Sequence, residues 1–305
     1  MRLYPGYAAH VKPLLPESFQ LGLAGFWAGL ARANDRGRRR YFLWRIRPVP
    51  TRLLGPLWRR SREQVELTLT YACNLACYNC NRSCQQDPTS ERMSLEQIGY
   101  FLDESRRRGI RWRQIRILGG EPTTHPQFLE AVDLLRGYRD DFSPATEILL
   151  CTNGHGPRVN RMLSKLPPDL AVEKDVKTSK VQPGFVTFNV APIDIAEYKH
   201  ADFCNGCRIT QRDGIGVTSH GYYPCGVGAA IDRTFGMDIG RATLPEPGDT
   251  MKDDLRRLCR LCGHFKWPTG ETVNGPVMSR SWTQAYERSR RSPSRLHRLG
   301  EPPAQ

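Results

Sequence analysis

The sequence of 305 residues lacks any apolar run long enough to cross a bilayer. A membrane-spanning helix needs about 20 apolar residues, and the most apolar stretch, residues 21–30, has ten. A secretory signal is also missing, because no charged start, apolar middle and small-residue cleavage site follow one another. We therefore expect a cytoplasmic protein, in which the ten cysteines do not form disulfides and those at CxxxCxxC and CxxC spacing bind metal.

The middle of the chain lacks a net positive charge, although the formal net charge of the whole chain is +14. Residues 1–62 carry thirteen Lys and Arg against two acidic residues, and residues 288–305 carry five against one, so residues 63–287 are near neutral. A neutral body argues against a nucleic-acid channel, and nucleic acid is not an expected partner. Arginine interleaved with Trp, Tyr and Leu over residues 36–62 suits an anionic membrane surface on the inner face. The alternative is a basic arm packed on the body.

From Val65 onward the pattern alternates between strands and helices, as in a parallel α/β fold. The strands are predicted at residues 65–70, 114–118, 147–150, 170–176 and 185–190. The helices are predicted at residues 93–108, 126–136 and 159–166. Ser94 is the expected N-cap of the first helix.

Three cysteines directly follow the first predicted strand. Cys73, Cys77 and Cys80 have the spacing CxxxCxxC. Cysteine thiolates hold iron–sulfur clusters, normally one per iron, so three thiolates leave one iron of a [4Fe–4S] cluster free for another ligand. An iron without a protein ligand can bind a substrate-like molecule, which indicates a catalytic cluster. A zinc site or a structural group of thiols is the alternative that the spacing alone leaves.

This motif resembles that of the radical S-adenosylmethionine (SAM) enzymes, where it follows the first strand of a partial barrel. An aromatic residue usually precedes the third cysteine in that family, whereas here Tyr78 lies one position early and Asn79 takes the place. The resemblance implies a [4Fe–4S] cluster on Cys73, Cys77 and Cys80, with SAM on the fourth iron and its cleavage to a 5′-deoxyadenosyl radical. It also implies a partial (β/α)6 TIM-like barrel and a flavodoxin or ferredoxin reductant.

Two further motifs follow the second and third predicted strands, where the functional groups of parallel barrels gather. They resemble the GGEP and TNG elements of the same family. Glycines let the backbone approach a ligand closely, and a carboxylate suits the ammonium group of SAM, although each motif alone is an ordinary turn. The residues predicted to contact SAM are Gly119, Gly120, Glu121, Pro122, Thr152 and Asn153.

Five more cysteines follow in the second half of the chain: Cys204, Cys207, Cys225, Cys259 and Cys262. Their pattern resembles the shortened auxiliary-cluster domain of the family, called twitch, which holds a second [4Fe–4S] cluster on a β-hairpin followed by a helix; the longer version is called SPASM. The resemblance implies Cys207 or Cys204, together with the last three, as ligands. The chain departs from it in one surplus cysteine and in Gly221, which is separated from Cys225 by three residues where the family usually has four. A zinc ion held by the two CxxC pairs is the alternative.

We therefore expect four regions along the chain. They are a basic N-terminal arm (1–62), a radical SAM barrel core (63–200), a small cysteine-rich auxiliary-cluster domain (201–270) and a C-terminal tail, partly disordered (271–305). Disorder is expected over residues 288–305, which are rich in Arg, Ser and Pro.

The resemblance implies an oxidoreductase or epimerase that takes hydrogen from its substrate. Residues 1–62 are too rich in Arg, Gly and Pro to resemble the precursor-binding domain of peptide-modifying members, which favours a sugar, a cyclitol or a lipid-linked glycan. A peptide-modifying enzyme is the second hypothesis, and a non-catalytic iron–sulfur or zinc protein is the third. Electron loss to an auxiliary cluster gives dehydrogenation, and hydrogen return from a thiol gives epimerisation. Cys151 and Cys204 are the candidate thiol donors.

Overall fold

The structure is a computed structural model that describes residues 33–177, 179–181, 184–268 and 273–301. The chain divides into a unit that ends at Arg45 and a unit that begins at Ile46. In the first unit, residues 33–45 form a helix, α1, and the apolar segment 21–30 lies outside the described residues. None of the described helices combines the length and hydrophobicity that a transmembrane segment requires.

The second unit is built on a six-stranded sheet in which five strands run parallel. The strands in chain order are β1 Gln64–Thr70, β2 Gln114–Gly119, β3 Glu147–Thr152, β4 Ala171–Lys174, β5 Gly184–Phe185, β6 Ile215–Thr218, β7 Gly221–Tyr223 and β8 Val273–Asn274. The order in the main sheet is β4-β3-β2-β1-β6-β7, and only β7 is antiparallel to its neighbour. This confirms the predicted α/β class and its mostly parallel, TIM-like sheet.

Helices cross between the first four strands. The helices of the second unit are α2 Pro48–Leu54, α3 Leu95–Arg107, α4 Phe128–Phe142, α5 Pro157–Leu163, α6 Arg208–Asp213, α7 Gly228–Phe235, α8 Lys252–Cys259 and α9 Arg280–Arg291. The three predicted helices correspond to α3, α4 and α5. The Ser94 hydroxyl accepts from the Gln97 amide at 3.2 Å, and the Gln97 side chain accepts from the Ser94 amide at 3.1 Å. This capping box confirms the predicted N-cap.

The two faces of β1 carry side chains of different character. Val65, Leu67 and Leu69 are fully buried in the main hydrophobic core, which they share with residues of α3 and α4. Because successive side chains of a strand point to opposite faces, Glu66 and Thr68 face the other way, and they are buried as well. One face of the sheet therefore builds the core, and the other carries polar groups toward the candidate site.

The last two strands of the main sheet come from the region predicted to be a separate auxiliary-cluster domain. β6 pairs in parallel with β1 over Val65–Leu67, and β7 returns beside it as a hairpin. The sheet therefore differs from six regular repeats, because β6 lies beside β1 and not beside β4.

The predicted strand at 185–190 is wrong beyond Phe185. The short β5 pairs with β8 outside the main sheet. Phe188 is fully buried against the ring of Trp282, at a centroid distance of 4.7 Å, and its carbonyl accepts from the Gly263 amide at 2.8 Å. Packing against this distant loop thus overrides the strand-forming composition of the segment.

The described part of the predicted C-terminal tail contains a helix and side chains that pack against the rest of the second unit. α9 is a regular helix, and its Trp282 and Tyr286, four residues apart, are 0% and 2% exposed. Leu299 is buried in the main core. Two aromatic residues on one helical face anchor this segment, although its overall composition is polar and basic.

The predicted end of the N-terminal arm at residue 62 lies inside the second unit. The Leu57 amide donates to the Asn205 side-chain oxygen at 2.7 Å, and the Ser61 amide donates to the Thr210 carbonyl at 3.1 Å. The segment from Ile46 to Ser61 is therefore hydrogen-bonded to Asn205, just before α6, and to Thr210, within α6.

The glycines after β2 pack against the backbone after β1. The Gly120 amide donates to the Thr70 carbonyl at 2.7 Å, and the Glu121 amide donates to the Ala72 carbonyl at 2.9 Å. A Cβ added to Gly120 would collide with the Ala72 carbonyl, and Gly119 has a φ of +150°, which side chains disfavour. The loops after the first two strands thus lie backbone to backbone.

We expect Gly120→Ala to destabilise the protein by about 1–3 kcal/mol, because the backbone of a neighbouring loop must move to admit the methyl group. The matched control is Gly137→Ala in α4, where no atom lies within 4 Å of the added Cβ and a gain of about 0.5–1 kcal/mol is expected. Urea denaturation under anaerobic conditions measures both. Equal unfolding midpoints for the two variants would contradict the packing described for Gly120.

Candidate active site

An open cavity of about 290 Å³ lies beside the main sheet. It brings together residues from the ends of β1, β2 and β3, which sequence reasoning had placed in three separate motifs. Those residues are Cys73, Cys77, Cys80, Gly119, Gly120, Cys151, Thr152 and Asn153. The structure therefore places most of the predicted site residues in a single cavity.

The three cysteines of the CxxxCxxC loop are half-buried in the lining of this cavity. Burial raises the pKa of Cys73 to about 12, so binding of a metal cluster there would release its proton. Cys84, which the sequence analysis left without a role, lines the same cavity and hydrogen-bonds to Cys80. Three thiols at one side of an open cavity fit a cluster with one iron left for another ligand.

Glu121 is fully buried and does not line the cavity. One carboxylate oxygen accepts from the hydroxyls of Thr123 at 2.7 Å and Thr152 at 2.9 Å, and the other accepts from the Asn153 amide at 2.9 Å. Pro122 is buried beside it in a short 3₁₀ helix. Glu121 thus joins the GGEP and TNG motifs to each other, a positioning role, whereas the sequence analysis expected it to contact SAM directly.

Asn153 connects the TNG motif to the cysteine loop. Its side-chain nitrogen Nδ2 donates to the Asn74 side-chain oxygen at 2.8 Å, and the Asn74 side-chain nitrogen Nδ2 donates to the His155 backbone carbonyl at 2.8 Å. Sequence reasoning missed Asn74 and His155. Their position directly after a motif residue is the signal that could have found them.

A network of charged side chains, buried at Glu66, Arg82 and Asp213, crosses the cavity wall. Glu66 accepts from Arg82 at 3.1 Å and from Arg116 at 3.0 Å, and Arg116 also pairs with Asp213 at 2.8 Å and Glu173 at 3.3 Å. Burial raises the pKa of Glu66, and the guanidinium of Arg82 acts in the opposite direction. The sequence analysis missed all five residues, although a charged residue between apolar ones in β1 and β2 is a recognisable signal.

Cys151 lies in β3 and faces this network. Its sulfur is 3.4 Å from an Arg116 nitrogen and 3.6 Å from a Glu173 oxygen. Burial raises the pKa of Cys151 to about 11, so the group is a thiol at neutral pH and carries a hydrogen atom into the cavity. The structure does not bring Cys204 there, because it is buried in the 3₁₀ helix Phe203–Asn205 and is not among the cavity-lining residues.

Four of the later cysteines meet at a second, narrow and apolar cavity: Cys207, Cys225, Cys259 and Cys262. They come from the start of α6, the end of the β6–β7 hairpin and the end of α8, and all four are buried. Cys204 is not part of this lining. No three His, Cys, Asp or Glu side chains in the described part of the chain converge as a site for one metal ion. Four thiols around one cavity supply the number and type of ligands that a [4Fe–4S] cluster needs.

Two relatives of known name match short parts of the chain. Mycofactocin maturase MftC of Mycobacterium tuberculosis (strain ATCC 25618 / H37Rv) is 42% identical over 89 residues, which are 28% of this chain and 22% of that protein. The probable GTP 3′,8-cyclase of Pyrococcus horikoshii is 36% identical over 96 residues, which are 31% of this chain and 28% of that protein. The chain thus spans about a quarter of the length of these relatives.

Among solved structures, BtrN in complex with AdoMet and 2-DOIA shares 14% identity and a TM-score of 0.38, covering 72% of this chain and 100% of that chain. Residues 67–182 match the sequence model of the Radical SAM superfamily. This range includes the CxxxCxxC loop and both motifs that line the cavity with it. Residues 67–182 therefore form a Radical SAM superfamily domain, which confirms the family that the cysteine motif resembles.

Proposed function

We propose that this chain is a radical SAM enzyme that takes hydrogen from a sugar, a cyclitol or a lipid-linked glycan and completes a dehydrogenation or an epimerisation. The observation that carries the proposal is the cavity of about 290 Å³, whose lining joins the CxxxCxxC cysteines to charged side chains of β1, β2 and β4. The family implies a [4Fe–4S] cluster and SAM on one side of such a cavity. The charged side chains of the cavity lining would then contact the substrate.

Cys73, Cys77 and Cys80 would hold the cluster. When bound, the cluster and SAM would supply a 5′-deoxyadenosyl radical, for which a flavodoxin or a ferredoxin would provide the electron. The backbone of Gly119–Gly120 and the polar groups of Asn153 line the cavity near these cysteines and would bind SAM. Their geometry is maintained by hydrogen bonds within the protein, above all those to Glu121.

The substrate side of the cavity favours a molecule rich in hydroxyl groups. Carboxylates accept hydrogen bonds from hydroxyls, and guanidinium groups donate to them. The charged side chains that line the cavity include Glu66, Arg116, Glu173, Arg212 and Asp213. Peptide modification is the second candidate, and it is favoured by the 42% identity to mycofactocin maturase MftC over 89 residues.

The second cavity would hold an auxiliary [4Fe–4S] cluster on Cys207, Cys225, Cys259 and Cys262. Support comes from the lining, which includes Cys225 and leaves out Cys204. A zinc ion would instead be bound by Cys204 together with Cys207, and Cys225 would not be a ligand. Replacing Cys204 and Cys225 one at a time therefore distinguishes the auxiliary cluster from the zinc site.

Anaerobically reconstituted protein should bind about eight irons, four in each cluster. Replacing Cys73, Cys77 and Cys80 together by Ala should leave about four irons and abolish formation of 5′-deoxyadenosine. Iron analysis and chromatography of the SAM cleavage products measure the two quantities. Cys84→Ala is the matched control, because it removes a thiol from the same cavity and should keep both values. Cleavage of SAM by the triple variant under dithionite would exclude these cysteines as cluster ligands.

In the background of the triple variant, Cys225→Ala should remove the remaining irons, whereas Cys204→Ala should keep them. Absorbance near 400 nm and metal analysis follow both changes. One equivalent of zinc in a colourless triple variant, lost with Cys204→Ala and kept with Cys225→Ala, would establish the zinc alternative.

For an epimerisation, Cys151 is the proposed hydrogen donor, because its thiol faces the charged part of the cavity. Deuterated sugars and cyclitols that transfer deuterium to 5′-deoxyadenosine would identify the substrate. Turnover of that substrate in D₂O should then place one deuterium in the product, and Cys151→Ala should abolish this product. Cys204→Ala is the matched control and should behave as the wild type. A product without deuterium would point to dehydrogenation, and a deuterated product from Cys151→Ala would exclude Cys151 as the donor.

The arm is proposed to bring the enzyme to an anionic membrane surface. On α1, Tyr41 and Trp44 are 57% and 48% exposed, and Arg36, Arg38 and Arg40 are exposed beside them. Such surfaces attract basic side chains by about 1 kcal/mol each. Replacing these three arginines by Gln should therefore weaken cosedimentation with anionic vesicles, as should added salt. Equal binding of the wild type to neutral vesicles would exclude the electrostatic attraction.

A further inference from the structure

The short helix α2 presents large apolar side chains to solvent. Leu53 and Val49 are 77% and 69% exposed, which makes them the two most exposed large apolar side chains among the described residues. Leu54, at the end of the helix, is 56% exposed. We call these three side chains the α2 face. Apolar side chains that cluster on a surface in this way mark a site where another molecule binds.

The opposite side of α2 is fixed to the body of the second unit. Pro50 and Thr51 are buried, and the Thr51 hydroxyl accepts from the Asn205 side-chain nitrogen at 2.7 Å. Residues four apart lie on the same side of a helix, so Val49 and Leu53 point together away from the buried side. The α2 face is therefore held in place by the folded unit that carries the candidate active site.

The charges near the α2 face are of one sign. The exposed basic residues beside it in the sequence are Arg47, Arg52 and Arg59. Residues 36–62 contain no Asp or Glu. The amide of Asp202 donates to the Ile46 carbonyl at 2.7 Å, but its carboxylate pairs with Arg256 at 3.0 Å. Basic side chains next to an apolar helical face are typical of segments that lie in the interface of an anionic bilayer.

A second copy of this chain fits the α2 face less well than lipid does. In a two-fold dimer the same surface of each chain meets itself, so the arginines beside α2 would face their own copies. Like charges that face each other across an interface disfavour association. An anionic lipid surface has the opposite charge and also takes up apolar side chains, so it matches both properties of the α2 face.

The α2 face is connected to the candidate active site through one helix. Beyond α2, the Ser61 amide donates to the Thr210 carbonyl of α6 at 3.1 Å, and Asn205, which binds Thr51, lies three residues before α6. Three residues of α6 line the active-site cavity: Ile209, Arg212 and Asp213. A bilayer in contact with α2 would therefore be close, in terms of the fold, to the elements that build the cavity.

We propose that the α2 face inserts Val49, Leu53 and Leu54 into an anionic lipid bilayer and so holds the candidate active site at the membrane surface. The contact belongs to the second unit and buries apolar side chains, so it is independent of the electrostatic attraction proposed for α1. Within the proposed function, on which this step rests, it selects a lipid-linked glycan over a free sugar or cyclitol, because such a substrate lies in the same bilayer.

The first test is cosedimentation of the full chain with vesicles of phosphatidylcholine and phosphatidylglycerol. The α2 variant is Val49→Thr with Leu53→Gln, and the matched control makes the same changes at other exposed residues, Val186→Thr with Leu134→Gln. We expect the α2 variant to bind at least about tenfold more weakly than the wild type, because two apolar side chains no longer leave water. The control should stay within about twofold.

Salt separates this contact from the attraction proposed for α1. The ratio between wild type and α2 variant should persist at high salt, whereas the loss caused by replacing the α1 arginines should shrink. Equal vesicle binding by the α2 variant and the control would overturn the proposal. So would a wild-type dimer that the α2 variant dissociates while its vesicle binding stays at the wild-type level, since the occupant would then be a second copy.

A tryptophan at residue 53 measures insertion directly. The fluorescence that Leu53→Trp adds to that of the wild type should be quenched by lipids brominated on their acyl chains. Leu134→Trp is the matched control, and its added fluorescence should not be quenched. Vesicle binding without quenching at residue 53 would also overturn the proposal, because the helix would then touch head groups and not enter the bilayer.

The choice of substrate has a separate readout. The reconstituted protein is incubated with SAM and dithionite, and with either the lipid extract or the water-soluble extract of cells grown in deuterated medium. Deuterium should pass from the lipid extract to 5′-deoxyadenosine, and less should pass in the α2 variant when the lipids form vesicles. A lipid extract that transfers no deuterium would overturn the lipid-linked substrate. Absence of 5′-deoxyadenosine from every sample would instead refute the proposed function, while the vesicle experiments, which need no cluster, would still decide the insertion.

Discussion

The carboxylate of Glu66 is buried in the sheet and shared by two guanidinium groups, those of Arg82 and Arg116. Removing one partner from a buried ion pair leaves an uncompensated charge and costs about 3–5 kcal/mol. Arg82 belongs to the cysteine loop, and Arg116 extends the contact to Asp213 and Glu173. Gly226, next to Cys225, packs against the same carboxylate. One interaction therefore connects the loop of the first cluster, the sheet and the second group of cysteines.

The two cysteine sites also depend on one sheet. Cys73 follows β1, and Cys225 follows the hairpin whose first strand, β6, is hydrogen-bonded to β1. The separation of the two sites is thus set by regular backbone pairing and not by a flexible linker. A fixed separation suits electron transfer between a substrate and an auxiliary cluster, since both must keep their places during turnover.

The features that the sequence predicted well are local ones. The strand before Cys73, the capping box at Ser94 and the motifs after β2 and β3 all depend on residues within a few positions of each other. The features that it missed depend on contacts between distant residues. The pairing of Glu66 with Arg116, the choice of Cys207 over Cys204 at the second cavity, and the burial of Trp282 become visible only when separate elements pack together.

The place of β6 beside β1 determines how the chain can be divided. β1 is an interior strand because β2 covers one edge and β6 the other. A fragment that ended near residue 200 would lose β6 and leave the backbone of Val65–Leu67 unpaired along an apolar strand. Exposed edges of this kind pair with other chains and aggregate. The strands of residues 67–182 therefore rely on β6, from the last third of the sequence, to cover the edge of β1, and the cysteine-rich region shares their sheet as part of one folding unit.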